Sequence, residues 1–273
     1  MLLPRVITAI ILASVLLGFV LFLDFVFVKA LFTFILFISS YELLRLVGIK
    51  APVVISALSL AICLVFYLQF DWFTPFMVYQ STTLVSFFWL CIVALLFMYR
   101  ADTHWLVWHK AFHGVLGIGF LIVCIHSLLF IHQHFSQGGW FMLYLMSIVW
   151  VADIGAYFSG KRFGKHKLAP AISPGKSIEG VIGGLLLNVI WAWLVFTQFS
   201  HWGMSLPEFM IVSLLAALIS VPGDLYESIL KRQAGMKDSG TILPGHGGIL
   251  DRIDSVIAAA PVFVAGLFLV GAV

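Results

Sequence analysis

Between Ser228 and Ser255 the chain reads SILKRQAGMKDSGTILPGHGGILDRIDS, which gathers Lys231, Arg232, Lys237, Asp238, His246, Asp251, Arg252 and Asp254 into an otherwise strongly apolar sequence. Helical spacing extends the cluster upstream. Asp224, Glu227, Ser228 and Lys231 fall at i, i+3, i+4 and i+7, on one face. Asp251, Asp254 and Ser255 share a face in the same way. Between the two predicted helices lies LPGHGG, where glycines such as Gly247 and Gly248 let backbone amides approach an anion. Carboxylates suited to a divalent cation, and cations suited to phosphates, indicate phosphoryl-group chemistry. Salt-bridged helix ends are the plain alternative, but aspartates abutting apolar segments are a costly way to cap helices.

A second polar stretch, residues 160–177, contributes Lys165, His166, Lys167, Ser173, Lys176 and Ser177. Gly175-Lys-Ser177 has the ending of a P-loop. Pro170 stands where the first glycine is required, and no strand is predicted before it, so a Walker fold is excluded. Ser177 and Glu179 open a predicted helix whose N-terminal amides favour an anion, with Lys176 and Lys167 adding charge. Asp224 follows Val221-Pro-Gly223, a predicted helix interruption exposing carbonyls. A cation site and a kink with Asp224 paired to a lysine both remain open there. Asp153 lies well inside an apolar segment, where a carboxylate costs about 2.5–3.5 kcal/mol, so it must face protein or water. His246 either contacts phosphate or holds its turn. His104, His109 and His113 invite a metal reading, which the lack of a suitably spaced carboxylate in that helix argues against.

These residues resemble a known pattern. Ser228-x-x-Lys-Arg232, Lys237-Asp238, Pro244-Gly-His-Gly-Gly248 and Leu250-Asp-Arg-Ile-Asp254 together are similar to the signature of bacterial phosphatidate cytidylyltransferases (CDP-diacylglycerol synthases). Ala152-Asp-Ile-Gly-Ala-Tyr157, Gly160 to Pro170 and Ser173-Pro-Gly-Lys-Ser177 extend the resemblance, which is dense from Trp150 to Pro261. Ile154 and Ser177 depart from it, where a small polar residue and a threonine are expected. Neither departure removes a charge.

The elements that must position these groups are membrane spans. The chain is 62% hydrophobic and 10% charged, which excludes an ordinary soluble domain. About 20 apolar residues per span predicts an all-α, polytopic bundle of about nine transmembrane helices: Val6–Leu23, Phe25–Ser40, Ala51–Phe70, Phe76–Tyr99, Ala111–Ile131, Gly139–Ser159, Ile178–Phe199, Pro207–Leu230 and Leu250–Val273. The first is too long for a signal-peptide core of roughly 7–15 residues and is read as retained. The tight junction at Asp24 leaves open whether the first two segments both cross. Alternation puts fourteen of the fifteen Lys and Arg residues on one side and only Lys29 on the other, so the N-terminus and the active-site loops are expected in the cytoplasm. Residues 1–137 are expected to form a scaffold on the lipid side, and residues 138–273 the catalytic region. Gly180 with Gly184, and Gly155 with Ser159, predict close helix contacts. Cys63, Cys91 and Cys124 stand alone in apolar runs, as inert thiols.

The resemblance implies that CTP and phosphatidate yield CDP-diacylglycerol and pyrophosphate in a bacterial inner membrane, with Mg²⁺ as cofactor and a second cation compatible with it. Asp224, Asp251 and Asp254 are the expected metal residues, and Asp224, Asp251 and Lys231 the expected catalytic ones. Lys167, Ser173, Lys176, Ser177, Arg232, Lys237, Asp238, His246, Gly247, Gly248 and Arg252 are expected to bind substrate. A homodimer is compatible with the resemblance, and no nucleic-acid partner is expected. Two other classes compete: an ion transporter, which would need acids spread along a transmembrane route, and a CTP-dependent lipid kinase.

Overall fold

The computed structural model describes residues 3–98, 110–199, 202–243 and 245–273. Helices α1 (Leu3–Phe22), α2 (Phe25–Leu46), α3 (Pro52–Gln69), α4 (Pro75–Met98), α5 (Lys110–His134), α6 (Gly138–Phe163), α7 (Ile178–Gln198), α8 (Leu206–Gln233) and α9 (Leu250–Leu269) follow in order. Among the described residues, eight helices are long and apolar enough to cross a membrane, and α1 contributes the shorter apolar stretch Ile10–Phe22. The protein is a polytopic helical membrane protein, as expected. Proline starts α3 and α4, and the Ser205 side chain and the Glu208 side chain box the start of α8, so the punctuation is local and chemical.

One expectation needs correction. No strand is predicted before Gly175-Lys-Ser177, yet β1 (Lys167–Ala169) precedes it and pairs antiparallel with β2 (Ser173–Ser177), Lys167 opposite Ser177 and Ala169 opposite Ser173. Three- and five-residue strands carry too little alternation to be read from sequence. Gly175-Lys-Ser177 therefore lies within β2 and runs straight into α7, without the glycine loop a Walker site needs.

A second correction concerns α8, which continues through Pro222 rather than unwinding. Gly223 explains how. A Cβ there would stand 2.7 Å from the Asp254 carbonyl oxygen and 3.2 Å from the Ser255 Cα, so the missing side chain lets α9 press against α8. Tight packing holds the helix together where proline removes a bond, and it brings Asp254 toward Asp224.

The small-residue spacings of α6 and α7 face each other. A Cβ on Gly184 would meet the Ala152 carbonyl oxygen at 2.6 Å, and one on Gly155 would meet the Gly184 Cα at 2.8 Å. Gly184→Val is accordingly expected to lower the unfolding free energy by about 1–3 kcal/mol through overpacking. Gly119→Ala, where nothing lies within 4 Å of the added carbon, should leave it unchanged or slightly raised. Thermal melts in detergent read the difference, and equal melting of the two variants would contradict the packing described.

The contacts of the helix ends gather many of the candidate site residues. Glu42 near the end of α2, Lys231 near the end of α8 and Asp251 at the start of α9 meet, through Ser239, in one hydrogen-bonded group, and Lys176 in β2, just before α7, reaches Asp224 of α8.

Candidate active site

Lys231 is the hub. Its Nζ donates to Glu227 Oε2 at 2.5 Å and to Asp251 Oδ1 at 2.7 Å, and all three side chains are largely enclosed, at 13%, 5% and 4% exposure. The i, i+4 spacing of Glu227 and Lys231 makes the first contact, and the turn between α8 and α9 makes the second. Asp251 Oδ2 accepts three further hydrogen bonds, from the Ser239 amide (2.9 Å), the Ser239 hydroxyl (2.9 Å) and the Gly248 amide (2.8 Å). Gly247, at φ +82°, provides the left-handed turn that aims the next amide at this carboxylate, and a Cβ there would fall 2.7 Å from Asp251 Oδ2.

Asp224 lies one turn before Ser228, whose hydroxyl donates to its Oδ1 at 3.2 Å, while its Oδ2 accepts from Lys176 Nζ at 2.6 Å. The pairing of Asp224 with a lysine is therefore present. Lys176 is held by the structure that Ser177 begins: the Ser177 hydroxyl caps α7, accepting from the Gly180 amide at 3.1 Å. Glu179 is turned away, with one oxygen 2.6 Å from His166 Nδ1. Lys176, Asp224 and Arg252 are each near enough to Asp153 to act on it electrostatically. Asp254 is likewise near Asp224 and Glu227. Glu227 Oε1 is buried with no hydrogen-bond partner among the described residues.

Two cavities open here. The first, about 200 Å³, lies among α6, α7, α8 and β2 and combines Asp153, Lys176 and Ser177 with apolar Ala156, Val181 and Val221. The second, about 550 Å³, is a polar cleft over the glycine turn, lined by Lys237, Asp238, His246, Gly247 and Arg252 among others. His246 Nδ1 is buried there without a hydrogen-bond partner among the described residues. The sequence-predicted residues thus divide among three places: the carboxylate network, the mixed cavity and the polar cleft. Arg232 and Lys167 are exposed, Ser173 is half-buried, and none of the three lines either cavity. Gly248 is packed beneath the cleft against Ser239 and Glu42.

A divalent cation fits this group on charge grounds. Asp153, Asp224, Glu227, Asp251 and Asp254 face Lys176, Lys231 and Arg252, so the acidic side chains outnumber the basic ones by two, and Glu227 and Asp254 approach within hydrogen-bond reach of each other, a pairing that a shared proton or a cation would satisfy. Among the described residues no three His, Cys, Asp or Glu side chains converge into a ready cage. That suits Mg²⁺, which usually takes one or two carboxylates and completes its shell with water and substrate phosphate. His104 and His109 lie outside the described residues, as does Pro244 of the glycine turn. His113 meets the Tyr226 hydroxyl at 2.8 Å.

Three contributors escaped the sequence reading of the site. Glu227 was visible on its helix face, but its burial was not. Ser239 is one of many serines and carried no signal. Glu42 is buried in α2, at 2% exposure, and a carboxylate bordering an apolar helix was the clue, the same one that singled out Asp153.

The family described as the cytidylyltransferase family matches residues 3–270. Over 139 residues the chain is 50% identical to a phosphatidate cytidylyltransferase of Haemophilus influenzae, covering 48% of each protein. A protein of the same name from Pseudomonas aeruginosa is 47% identical over 158 residues, covering 57% of this chain and 58% of its own length. One from Staphylococcus aureus is 47% identical over 146 residues, covering 54% and 53%. The chain spans about half the length of these curated relatives in the matched stretch.

Proposed function

Because the chain belongs to the cytidylyltransferase family, we propose that it transfers the cytidylyl group of CTP to phosphatidate, giving CDP-diacylglycerol and pyrophosphate. The observation that carries this reading is that two cavities of different character flank one carboxylate network: Lys176 of the first pairs with Asp224, and Gly247 of the second packs on Asp251. The polar cleft, with Lys237, His246 and Arg252, suits a triphosphate. The mixed cavity, with Lys176 beside apolar Ala156, Val181 and Val221, suits a phosphate on an apolar tail. A lipid entering there keeps its chains in the bilayer.

The nucleophile needs no base. The second pKa of a phosphate monoester is about 6, so the lipid phosphate arrives as an anion at neutral pH. One of its oxygens bonds to the α-phosphorus of CTP as the bond to the β-phosphate bridging oxygen breaks, and pyrophosphate leaves with that oxygen. Lys176 offsets the charge of the incoming phosphate, and Lys237, Arg252 and His246 that of the departing pyrophosphate. Lys231 holds Glu227 and Asp251 in place between them. Asp224 and Asp254 are the residues that would hold Mg²⁺, with Asp251 joining only by exchanging Lys231. When bound, the ion would polarise the α-phosphate and neutralise its oxygens. The excess of Lys and Arg at this end supports a cytoplasmic active site in a bacterial inner membrane. A homodimer belongs to the same proposal.

The test is product mass. Purified protein given CTP, phosphatidate and Mg²⁺ should form CDP-diacylglycerol and pyrophosphate. It should not exchange labelled pyrophosphate into CTP when lipid is rigorously absent, because no covalent enzyme intermediate forms. A phosphorylated lipid would establish the kinase class instead, and no product at all would overturn the enzyme reading.

A further inference from the structure

Helix α9 carries Asp251, Arg252 and Asp254, yet its own sequence supplies no cap. Ile249 occupies the N-cap position, and no side chain of that residue can accept from the first free amides. The acceptor comes from 207 residues earlier in the chain. Glu42 of α2 accepts from the Leu250 amide at 2.8 Å through Oε2 and from the Ile249 amide at 3.3 Å through Oε1. Its Oε2 also lies 3.2 Å from the Ser239 hydroxyl, and that hydroxyl is 2.9 Å from Asp251 Oδ2. Ser239 has one hydroxyl proton, so it links the two carboxylates by donating to one or the other. Gly240 and Gly248 crowd against the Glu42 carboxylate so closely that a Cβ on either would collide with it.

The geometry points to Glu42 as a positioning residue for nucleotidyl transfer, an inference that rests on the function proposed above. The negative charge of Glu42 sits at the positive end of the α9 dipole, where a carboxylate is favoured. By pinning the first turn of α9 and the Ser239 hydroxyl together, it sets where Asp251 meets Lys231 and where Arg252 and Asp254 stand. Glu42 touches neither cavity, so it acts only through these residues. It also belongs to the stretch expected to serve as scaffold, which makes α2 part of the machinery that orients the site.

Glu42→Gln keeps the size and an acceptor oxygen but removes the charge and offers Ser239 a donor instead. The expected result is a fall in kcat of roughly 100-fold, the cost of a small misplacement of reacting groups, with the KM for phosphatidate unchanged. Hydrogen exchange at the Ile249 and Leu250 amides should accelerate in the same variant. Ser239→Ala, which cuts only the bridge to Asp251, should also lower kcat, and combining it with Glu42→Gln should cost little more. Tyr144→Phe is the structural control: it breaks a buried 2.6 Å contact with Ser213 and should reduce thermal stability with kcat retained. The inference is overturned if Glu42→Gln turns over at the parental rate. It is overturned equally if Tyr144→Phe, matched for stability, loses as much kcat, or if Ser239→Ala is fully active where Glu42→Gln does not fold. Absence of CDP-lipid formation by the parent would instead defeat the proposed function. The exchange measurement then decides the capping role alone, and unchanged protection at residues 249 and 250 would defeat that too.

Discussion

Lys231→Met is expected to abolish turnover and to destabilise the protein by about 3–5 kcal/mol, the usual cost of leaving a buried ionic partner uncompensated. Lys231 Nζ stands between Glu227 and Asp251, each of which is almost fully enclosed. Asp254 faces the same group, so removal of the one ammonium leaves three acids in mutual repulsion. Methionine preserves most of the aliphatic volume, so the loss reports charge rather than a cavity. The double variant Lys231→Met, Glu227→Gln should recover much of the stability, because one repelling charge goes with the lysine. It should not recover activity, because Asp251 still lacks its partner. Melting curves in detergent and CDP-lipid formation separate the two quantities. A single variant as stable as the parent would show that Lys231 is no hub.

Asp224→Asn and Asp254→Asn should each lower kcat on the order of 10²–10³-fold, as expected when a group that organises transition-state charge is lost. Asparagine preserves shape and removes the formal charge that a hard cation prefers. The double variant should be scarcely worse than either single one, because groups acting as a unit are not additive. A readout independent of turnover is Mn²⁺ binding followed by electron paramagnetic resonance, and both variants should bind the ion more weakly than the parent. Glu208→Gln is the control. Its carboxylate is occupied with Ser205 at the other end of α8, so Mn²⁺ binding should be unaltered. The metal assignment fails if Asp224→Asn and Asp254→Asn both bind Mn²⁺ like the parent and keep near-normal turnover at limiting Mg²⁺.

The sequence by itself determined the membrane class, the approximate spans and the polar cluster proposed as the active site. Hydrophobic runs must cross or be buried wherever they sit, so their number and length follow from composition. Spacing at i, i+3 and i+4 likewise placed Asp224, Glu227 and Lys231 on one face before any fold was known. The paired small residues of α6 and α7 were legible because only close helix contact needs them. Pairing was decided by the tertiary structure alone. The sequence marks Lys176 as a phosphate-binding candidate, and only the approach of α7 to α8 puts it 2.6 Å from Asp224. Alternation of the spans makes Lys29 a lone cation on the opposite side. It is buried and ion-paired with Asp71 at 2.9 Å, a contact between α2 and the turn after α3. Glu42 and Leu250 are 208 residues apart, and no local pattern couples them. Local periodicity records which face of a helix is polar, because that depends on neighbours three and four residues away. Which partner meets that face depends on how nine helices pack among the described residues, and that is a property of the whole chain.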